Sequence, residues 1–230
     1  RIGQFGVYKL LDYIRQVQPT AVISTFPLSA GAMSWLKERG LANVFAGTVI
    51  TDHTVHSQWV HRFTDRYYAG SERVKKHLLA YGVSPARIKM TGIPIRQCFH
   101  QLYNRNYLKQ QIGLDDGPTA LVMCGWHGIQ NPAQCERLVQ VEERMQLVFV
   151  CGRDCRLFRR LLPLQMKHPK RVRIFGFVNN IAELMAVADF ILTKAGGLTT
   201  SEALAMGLPM LLYRPIPGQE EENARYLTGE

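Results

Sequence analysis

The 230-residue chain contains no apolar run that approaches the ~20 residues of a membrane-spanning helix. It shows no internal repeat, no low-complexity tract and no motif typical of a nucleic-acid-binding module. No signal peptide opens the sequence, and we expect any membrane association to be peripheral. Hydrophobic residues make up 47% of the chain, which is sufficient for a large buried core.

The cysteines are not arranged for disulfides or for a metal. There are 5, an odd number, and none forms the CxxC pair of a zinc site. Cys124 and Cys151 stand at the ends of apolar segments, where a thiol packs as a small hydrophobic group. We expect reduced thiols, no metal site and a cytosolic location.

Negative charge is scarce in the first part of the chain. Lys and Arg outnumber Asp and Glu by 28 to 18, which gives a net charge of +10. Residues 1–97 contain 13 basic and 5 acidic residues, whereas residues 98–230 contain 15 and 13. A basic half indicates an anionic partner, and without a nucleic-acid motif we favour anionic membrane lipids. The basic segment 61–77 is either a solvated face or the surface that meets these lipids.

Short apolar strands alternate with helical segments along almost the whole chain. This pattern is typical of an α/β fold in which parallel sheets are covered by helices on both faces. A Gly/Pro turn at residues 92–96 interrupts the alternation, and the charge asymmetry changes at the same place. We therefore predict two Rossmann-like domains, residues 1–97 and 98–230, with a ligand cleft between them.

The strongest site signal is the segment 193–210, which reads TKAGGLTTSEALAMGLPM. Gly196 and Gly197 follow a predicted strand and open a helix, and such a turn presents backbone N–H groups and the positive end of the helix dipole to a phosphate. The hydroxyl residues of the first helical turn are Thr199, Thr200 and Ser201. Glu202 is placed to accept hydrogen bonds from a ribose diol. The segment predicts a nucleotide site, with an ordinary glycine-rich helix start as the alternative.

Two further turns follow predicted strands in the second half. Gly125 and His127 are placed either to bring a backbone N–H or an imidazole to a phosphate, or to form a plain turn with an exposed His. Phe177 and Val178 either lie against a flat base or belong to an ordinary βα turn.

A third turn, PGQEEEN, starts a helix with three carboxylates in its first turn. Favourable interaction with the helix dipole explains Glu221 and Glu222. Gln219 and Glu220 lie on the loop side, where they are placed to hold sugar hydroxyls, with the same helix-dipole interaction as the alternative.

Asp52 and His53 follow a long apolar strand in the first half. At the carboxyl end of a strand, either side chain is positioned to act as a general base toward an acceptor hydroxyl. The alternative for Asp52 is a helix N-cap. His53 and His56 do not form a metal site by themselves, because a third ligand is missing.

Taken together, these turns resemble the processive diacylglycerol glucosyltransferase and monogalactosyldiacylglycerol synthase family, which is related to the lipid II glycosyltransferase of peptidoglycan synthesis. The resemblance covers most of the chain and is strongest in residues 48–59, 67–74, 82–96 and 176–223. It implies a GT-B type fold with two Rossmann-like domains, of which the N-terminal one is incomplete and the C-terminal one truncated.

The resemblance also implies a UDP-sugar site. Phe177 and Val178 would meet the uracil, and Glu202 would hold the ribose. The turn facing the diphosphate would consist of Gly196, Gly197, Leu198, Thr199 and Thr200. Additional residues near the phosphates or the sugar would be Arg96, Gly125, His127, Gln219, Glu220 and Asn223.

The activity that the resemblance implies is an inverting transfer of a hexose, which we take to be glucose, from a UDP-sugar to diacylglycerol or its glycosylated product. UDP-glucose and UDP-galactose are the candidate donors, Asp52 or His53 would be the base, and no cofactor or metal is expected. The reaction would take place at the cytoplasmic face of the cell membrane. The alternatives are a UDP-N-acetylglucosamine 2-epimerase and a nucleotide-sugar-binding module without catalysis. The family's first glycine-rich turn and its C-terminal crossing segment are missing, so we expect a piece of a longer protein, inactive alone.

Overall fold

The structure, a computed structural model, describes residues 4–124 and 129–229. Contacts divide the chain into two compact units, one with residues 4–94 and 221–229 and the other with residues 95–220. The division drawn from the sequence at residue 97 differs in two respects. The first unit ends at residue 94, and residues 221–229 pack with the first unit instead of the second.

The first unit is built on a four-stranded parallel sheet in the order β1-β2-β3-β4. Its strands are β1 (Ala21–Ser24), β2 (Phe45–Val49), β3 (Arg66–Ala69) and β4 (Ile88–Met90). Its helices before the last segment are α1 (Gln4–Val17), α2 (Pro27–Glu38) and α3 (Glu72–Ala80). A 3-10 turn at Ser57–Trp59 follows β2 and buries Trp59 against the sheet.

Helix α2 begins at Pro27. Pro27 occupies the first turn, where its fixed φ suits a helix and its missing N–H leaves no helical hydrogen bond unmade. Phe26 before it is extended, with φ −146° and ψ 140°. A proline that ordinarily breaks a helix therefore marks the start of this one.

The second unit contains a five-stranded parallel sheet in the order β7-β6-β5-β8-β9. Its strands are β5 (Thr119–Met123), β6 (Gln146–Val150), β7 (Val172–Phe175), β8 (Phe190–Thr193) and β9 (Met210–Leu212). The helices are α4 (Arg105–Gln111), α5 (Pro132–Val141), α6 (Cys155–Lys167), α7 (Ile181–Val187) and α8 (Gly197–Ala205), followed by α9 (Gln219–Thr228), most of which belongs to the first unit. The alternation of strands and helices confirms the predicted α/β class.

Both faces of the second sheet are covered. Leu121 and Ile191 pack into one buried cluster, and Val122 and Phe149 pack into another. Burial on both faces explains why these strands are continuous apolar runs without alternation. From β5 the chain moves outward to β6 and β7, and then returns to place β8 on the other side of β5. The carboxyl ends of β5 and β8 therefore flank the switch point at which open α/β sheets bind ligands.

Helix α6 continues through Pro163 to Lys167. A proline inside a helix removes one backbone hydrogen bond. Two contacts stabilise the extra turn: the Gln165 side-chain oxygen accepts from Ile174 N at 2.8 Å, and His168 N donates to Leu164 O at 3.0 Å. The tertiary bond to β7 cannot be read from local sequence.

Across residues 4–124 and 129–229, no helix combines the length and the apolar character needed to cross a bilayer.

Candidate functional site

A crevice of about 1140 Å³ opens in the second unit at the carboxyl ends of β5, β6 and β8. It lies at the switch point of the sheet, where the topology predicts a ligand site. The side chains and backbone that line it include Cys124, Arg153, Lys194, Gly196, Thr199 and Glu220. Four of these six carry polar or charged side chains, so the crevice offers directional contacts to a polar ligand.

The N-terminus of α8 opens into this crevice. Gly196 is the N-cap residue, in extended conformation, and it provides no side-chain hydrogen bond to the helix. The first amides of an α-helix have no partner within the helix, so the N–H groups from Gly197 through Leu198 to Thr199 depend on a ligand or water. The structure therefore brings the predicted glycine turn and Thr199 to one anion-binding end of a helix.

Thr200 belongs to this turn through its backbone only. Its side chain is buried, and its hydroxyl lies 2.8 Å from Gly196 O and 3.2 Å from Gly197 O, to which it donates. Ser201 donates to Gly197 O at 2.7 Å in the same way. Such bonds satisfy the hydroxyl within the helix. A contact from the Thr200 side chain to a diphosphate is not supported by this placement.

Glu202 lies one turn further along α8 and is half-buried. Burial raises the pKa of its carboxyl group, and the positive charge of Arg96 partly offsets this rise. The Arg96 guanidinium donates from Nη1 to Asn179 O at 3.3 Å. Arg96 is thus placed between the turn after β7 and the Glu202 carboxylate. The structure brings together these two residues, which the resemblance assigns to the diphosphate and the ribose.

The turn after β7 contains the two residues predicted to meet a base. Val178 packs on the core of the second unit, whereas the Phe177 ring is 61% exposed. The Arg153 guanidinium lies 5.3 Å from the centre of that ring, within the range of a cation–π contact. An exposed ring next to a crevice offers a face on which a flat group can stack.

Lys194 and Glu220 form an ion pair in the crevice. Lys194 Nζ lies 3.6 Å from Glu220 Oε2, and both side chains are only 15% exposed. The same Glu220 oxygen accepts from Ile216 N at 2.8 Å, which fixes its position. Glu220 was predicted from the sequence and does reach the crevice, whereas Gln219, the first residue of α9, is exposed. Lys194 was missed, although its place directly after β8 is the signal that identified the neighbouring glycines.

The turn after β6 was also missed by the sequence analysis. Gly152 has a φ of 57°, and Arg153 and Asp154 follow it at the crevice. Asp154 caps α6, since its Oδ1 accepts from Arg156 N at 3.1 Å and from Leu157 N at 2.9 Å. The signal was available, because these residues follow a strand that is buried at every position.

Cys124 and Cys151 lie at the strand ends beneath the crevice, and both are free thiols. Cys124 N donates to Val150 O at 2.8 Å, which places the two cysteines on adjacent strands. Hydrogen bonding with the Cys135 and Cys151 thiols, together with burial, raises the pKa of Cys124. Cys124 is therefore a protonated, packed thiol at neutral pH, in line with the predicted hydrophobic role.

Asp52, in the first unit, is buried at the carboxyl end of β2. Its Oδ2 accepts from Trp59 Nε1 at 3.3 Å, while the N-cap position of the 3-10 turn belongs to His56. The alternative that Asp52 caps that turn is therefore wrong. The carboxylate instead anchors the fully buried indole of the turn that follows.

His53 is buried beside Asp52. Its ring stacks on Tyr226 at a centroid distance of 4.9 Å and an angle of 14°, and burial lowers its pKa to about 4. The imidazole is therefore neutral at neutral pH. Asn223 is fully buried, and its Oδ1 accepts from His53 N at 2.9 Å. A sugar contact by the Asn223 side chain is not supported by this position, because the amide oxygen is committed to the loop that carries His53.

Gly125 and His127 lie outside the residues that the structure describes, so their predicted position near the phosphates stays a prediction.

Two family models match the chain. The monogalactosyldiacylglycerol (MGDG) synthase model matches residues 1–95, and the glycosyltransferase family 28 C-terminal domain model matches residues 119–229. A processive diacylglycerol beta-glucosyltransferase of Bacillus licheniformis is 36% identical over 226 residues, and one of Bacillus cereus is 38% identical over 227 residues. The chain is similar to this family of glycosyltransferases over almost its whole length. Each match covers 97% of this chain and 58% of the relative, so the chain spans somewhat more than half the length of these family members.

Solved structures support the fold at lower sequence identity. Staphylococcus aureus MnaA, in a co-structure with UDP, is 16% identical with a TM-score of 0.67, and the match covers 97% of this chain and 70% of that one. Acinetobacter baumannii MurG is 17% identical with a TM-score of 0.59, covering 97% of this chain and 61% of its own. These similarities confirm the predicted GT-B type of α/β fold for this chain.

Proposed function

We propose that the chain is part of an inverting glycosyltransferase that transfers a hexose from a UDP-sugar to diacylglycerol or its glycosylated product. The observation that carries this proposal is the uncapped N-terminus of α8, which opens into the crevice at the switch point of the second sheet. The family relatives are named for diacylglycerol glucosylation, which makes glucose the first choice of sugar.

The donor would lie along the crevice with its diphosphate at the start of α8. The amides of residues 197–199 and the helix dipole both favour an anion there. The ribose hydroxyls would donate to the Glu202 carboxylate, which is half-buried on the same helix. The uracil would lie toward the turn after β7, against the exposed Phe177 ring.

The reaction would be a direct displacement at the anomeric carbon. A base removes the proton from the lipid hydroxyl, the oxygen forms the new glycosidic bond, and the bond to the β-phosphate oxygen breaks with its electron pair on UDP. Positive groups aimed at the leaving phosphate lower the barrier most when they are already in place. The α8 amides and Arg96 would provide them, and the proposal requires no metal.

Asp52 and His53 are the candidates for the base within this chain. His53, with a pKa of about 4, is a weak acceptor at neutral pH, because a general base works best near the pH of the reaction. An ordinary carboxylate is no stronger a base than such an imidazole, so both residues remain candidates. Asp52→Asn and His53→Gln separate the two roles, since loss of the base lowers kcat with little change in the KM for the donor.

We further propose that the protein binds peripherally to anionic lipids at the cytoplasmic face of the membrane. In the basic segment 61–77, Arg62, Arg66 and Lys76 are exposed, whereas Lys75 pairs with Glu72 at 3.3 Å. Each basic residue near an anionic surface contributes about 1 kcal/mol of binding. Vesicle flotation with and without an acidic lipid tests this surface.

The decisive experiment combines anionic vesicles, diacylglycerol and UDP-glucose or UDP-galactose. It is run with the 230-residue chain and with any longer gene product that contains it. From the longer product we expect UDP release that depends on diacylglycerol and a hexosyl lipid identified by mass, with UDP-glucose as the better donor. UDP-sugar isomerisation without lipid would favour an epimerase instead. UDP binding without turnover by the longer product would favour a binding module.

A further inference from the structure

We propose that Lys194 is a second cation, in addition to Arg96, that contacts the diphosphate of the donor and neutralises it as it leaves. This inference rests on the proposed function, because it assigns a role within the UDP-sugar crevice. Neither the sequence motifs nor the resemblance had assigned a role to this residue.

The position of Lys194 ties it to the anion-binding end of α8. It follows β8 directly, and its carbonyl oxygen accepts from Gly196 N at 2.9 Å, which closes a tight turn. Its side chain lines the same crevice as Gly196 and Thr199. An ammonium group and the first amides of the helix therefore face one volume, in which a diphosphate meets both.

The Lys194 ammonium is held in place by an ion pair that does not use all of its hydrogen-bond donors. Its Nζ lies 3.6 Å from Glu220 Oε2, which is an ion pair but is longer than a hydrogen bond. A lysine ammonium carries three N–H donors. Among the residues that the structure describes, Glu220 is its ion-pair partner, and Glu220 is itself fixed by Ile216 N at 2.8 Å. The ammonium thus retains donors for phosphate oxygens.

The other charged side chains of the crevice have different surroundings. The Arg153 guanidinium lies by the Phe177 ring, toward the proposed uracil site. Asp154 caps α6. Of the cations that line the crevice, Lys194 is therefore the one next to the start of α8. With its side chain only 15% exposed, its attraction to a phosphate is weakly screened by water. This is the arrangement needed to stabilise negative charge as UDP departs.

Calorimetric titration of the 230-residue chain with UDP and with UMP tests the proposal. The variants are Lys194→Gln, Lys194→Arg and the double variant Lys194→Gln/Glu220→Gln, and the exposed Lys170→Gln is the matched control. Removing a charged hydrogen bond to phosphate weakens binding roughly 10- to 100-fold. We expect Lys194→Gln to lose this factor for UDP with a smaller loss for UMP, Lys194→Arg to recover part of it, and Lys170→Gln to bind as wild type.

The double variant separates a direct contact from an indirect effect. It removes both charges, so it leaves no unpaired carboxylate in the crevice, and it serves as the folded variant if Lys194→Gln is unstable. We expect it to bind UDP as weakly as Lys194→Gln. Recovery of wild-type UDP affinity in the double variant would overturn the proposal, as would equal losses for UDP and UMP. If the wild-type chain bound no UDP, the proposed function and this inference would both fail, whereas wild-type binding with an unaffected Lys194→Gln refutes the inference alone.

Discussion

Replacement of Glu202 by Ala gives the sharpest test of the donor site. The carboxylate is half-buried in α8, where burial raises its pKa and the charge of Arg96 lowers it. In the proposed complex the ionised group accepts hydrogen bonds from the ribose hydroxyls. The variant removes those acceptors and leaves the helix intact, because Ala is the strongest helix former.

The expected effects on affinity and on stability have different signs. A hydrogen bond to a charged group contributes about 1.5–3 kcal/mol, so we expect UDP affinity to fall roughly 10- to 100-fold. A carboxyl whose pKa is raised by folding contributes stability at low pH, and this contribution is lost as the pH rises through the folded pKa. At pH 7.5 the substitution therefore leaves the melting temperature unchanged or slightly higher. A purely structural role for Glu202 would lower it.

The assay compares UDP with 2′-deoxy-UDP by calorimetric titration. Wild type is expected to prefer UDP, and Glu202→Ala is expected to lose this preference along with its affinity. Glu136→Ala, which removes an exposed carboxylate from α5, serves as the control and is expected to behave as wild type. Unchanged UDP affinity in Glu202→Ala, or weaker binding with the preference for UDP preserved, would refute the ribose role.

Three further predictions concern packing and backbone conformation within each unit. Burial holds the pKa of folded His53 at about 4, below the ordinary 6.5 of a histidine, so its contribution to stability is complete above pH 6.5 and is lost as the pH falls toward 4. Urea unfolding at several pH values should show a steeper loss of stability in acid for wild type than for His53→Gln. Asn223→Ala removes the acceptor of the His53 N–H group and should lower the free energy of unfolding by about 1–3 kcal/mol, with the KM for the donor unchanged. An unchanged free energy of unfolding together with a raised KM for the donor would instead support the sugar role. Gly113→Ala, at a φ of 71°, should cost about 1–2 kcal/mol from backbone strain in the same denaturation assay, and more if the Arg173 guanidinium, 2.6 Å from the added Cβ, does not move. A loss below about 0.5 kcal/mol would contradict the strain argument.

Most of the fold was predictable because its signals are local. The apolar strands alternate with helices except between β2 and β3, where a 3-10 turn at Ser57–Trp59 replaces a helix, and the parallel arrangement follows from that alternation. The differences lie at element ends where a distant partner decides. Helix α6 passes Pro163 because Gln165 bonds to β7, and residues 221–229 pack with the first unit although the chain reaches them last.

The sequence predicted the glycine turn and the Glu220 turn of the crevice, but it did not predict every side chain that lines it. Parallel strands place all their carboxyl-terminal turns at one edge of a sheet, which is why the glycine turn and Glu220 reach the same crevice. Glycines and carboxylates were the signals used, which left out the cation Lys194 in the glycine turn and Arg153 in the turn after β6. A rule that each of the first three residues after a buried parallel strand is a candidate would have found both.

The orientation of side chains on α8 shows what additional information the sequence contained. Gly197, Thr200 and Ala203 are buried and repeat every three residues, so they form the face that packs on the core. Thr199 and Glu202 are also three residues apart and are both only partly buried, on the face beside it. Once the buried face is known, the helical repeat removes the Thr200 side chain from the phosphate site and places Thr199 and Glu202 in line. That line runs from the start of the helix along its length, as a diphosphate and the ribose attached to it require.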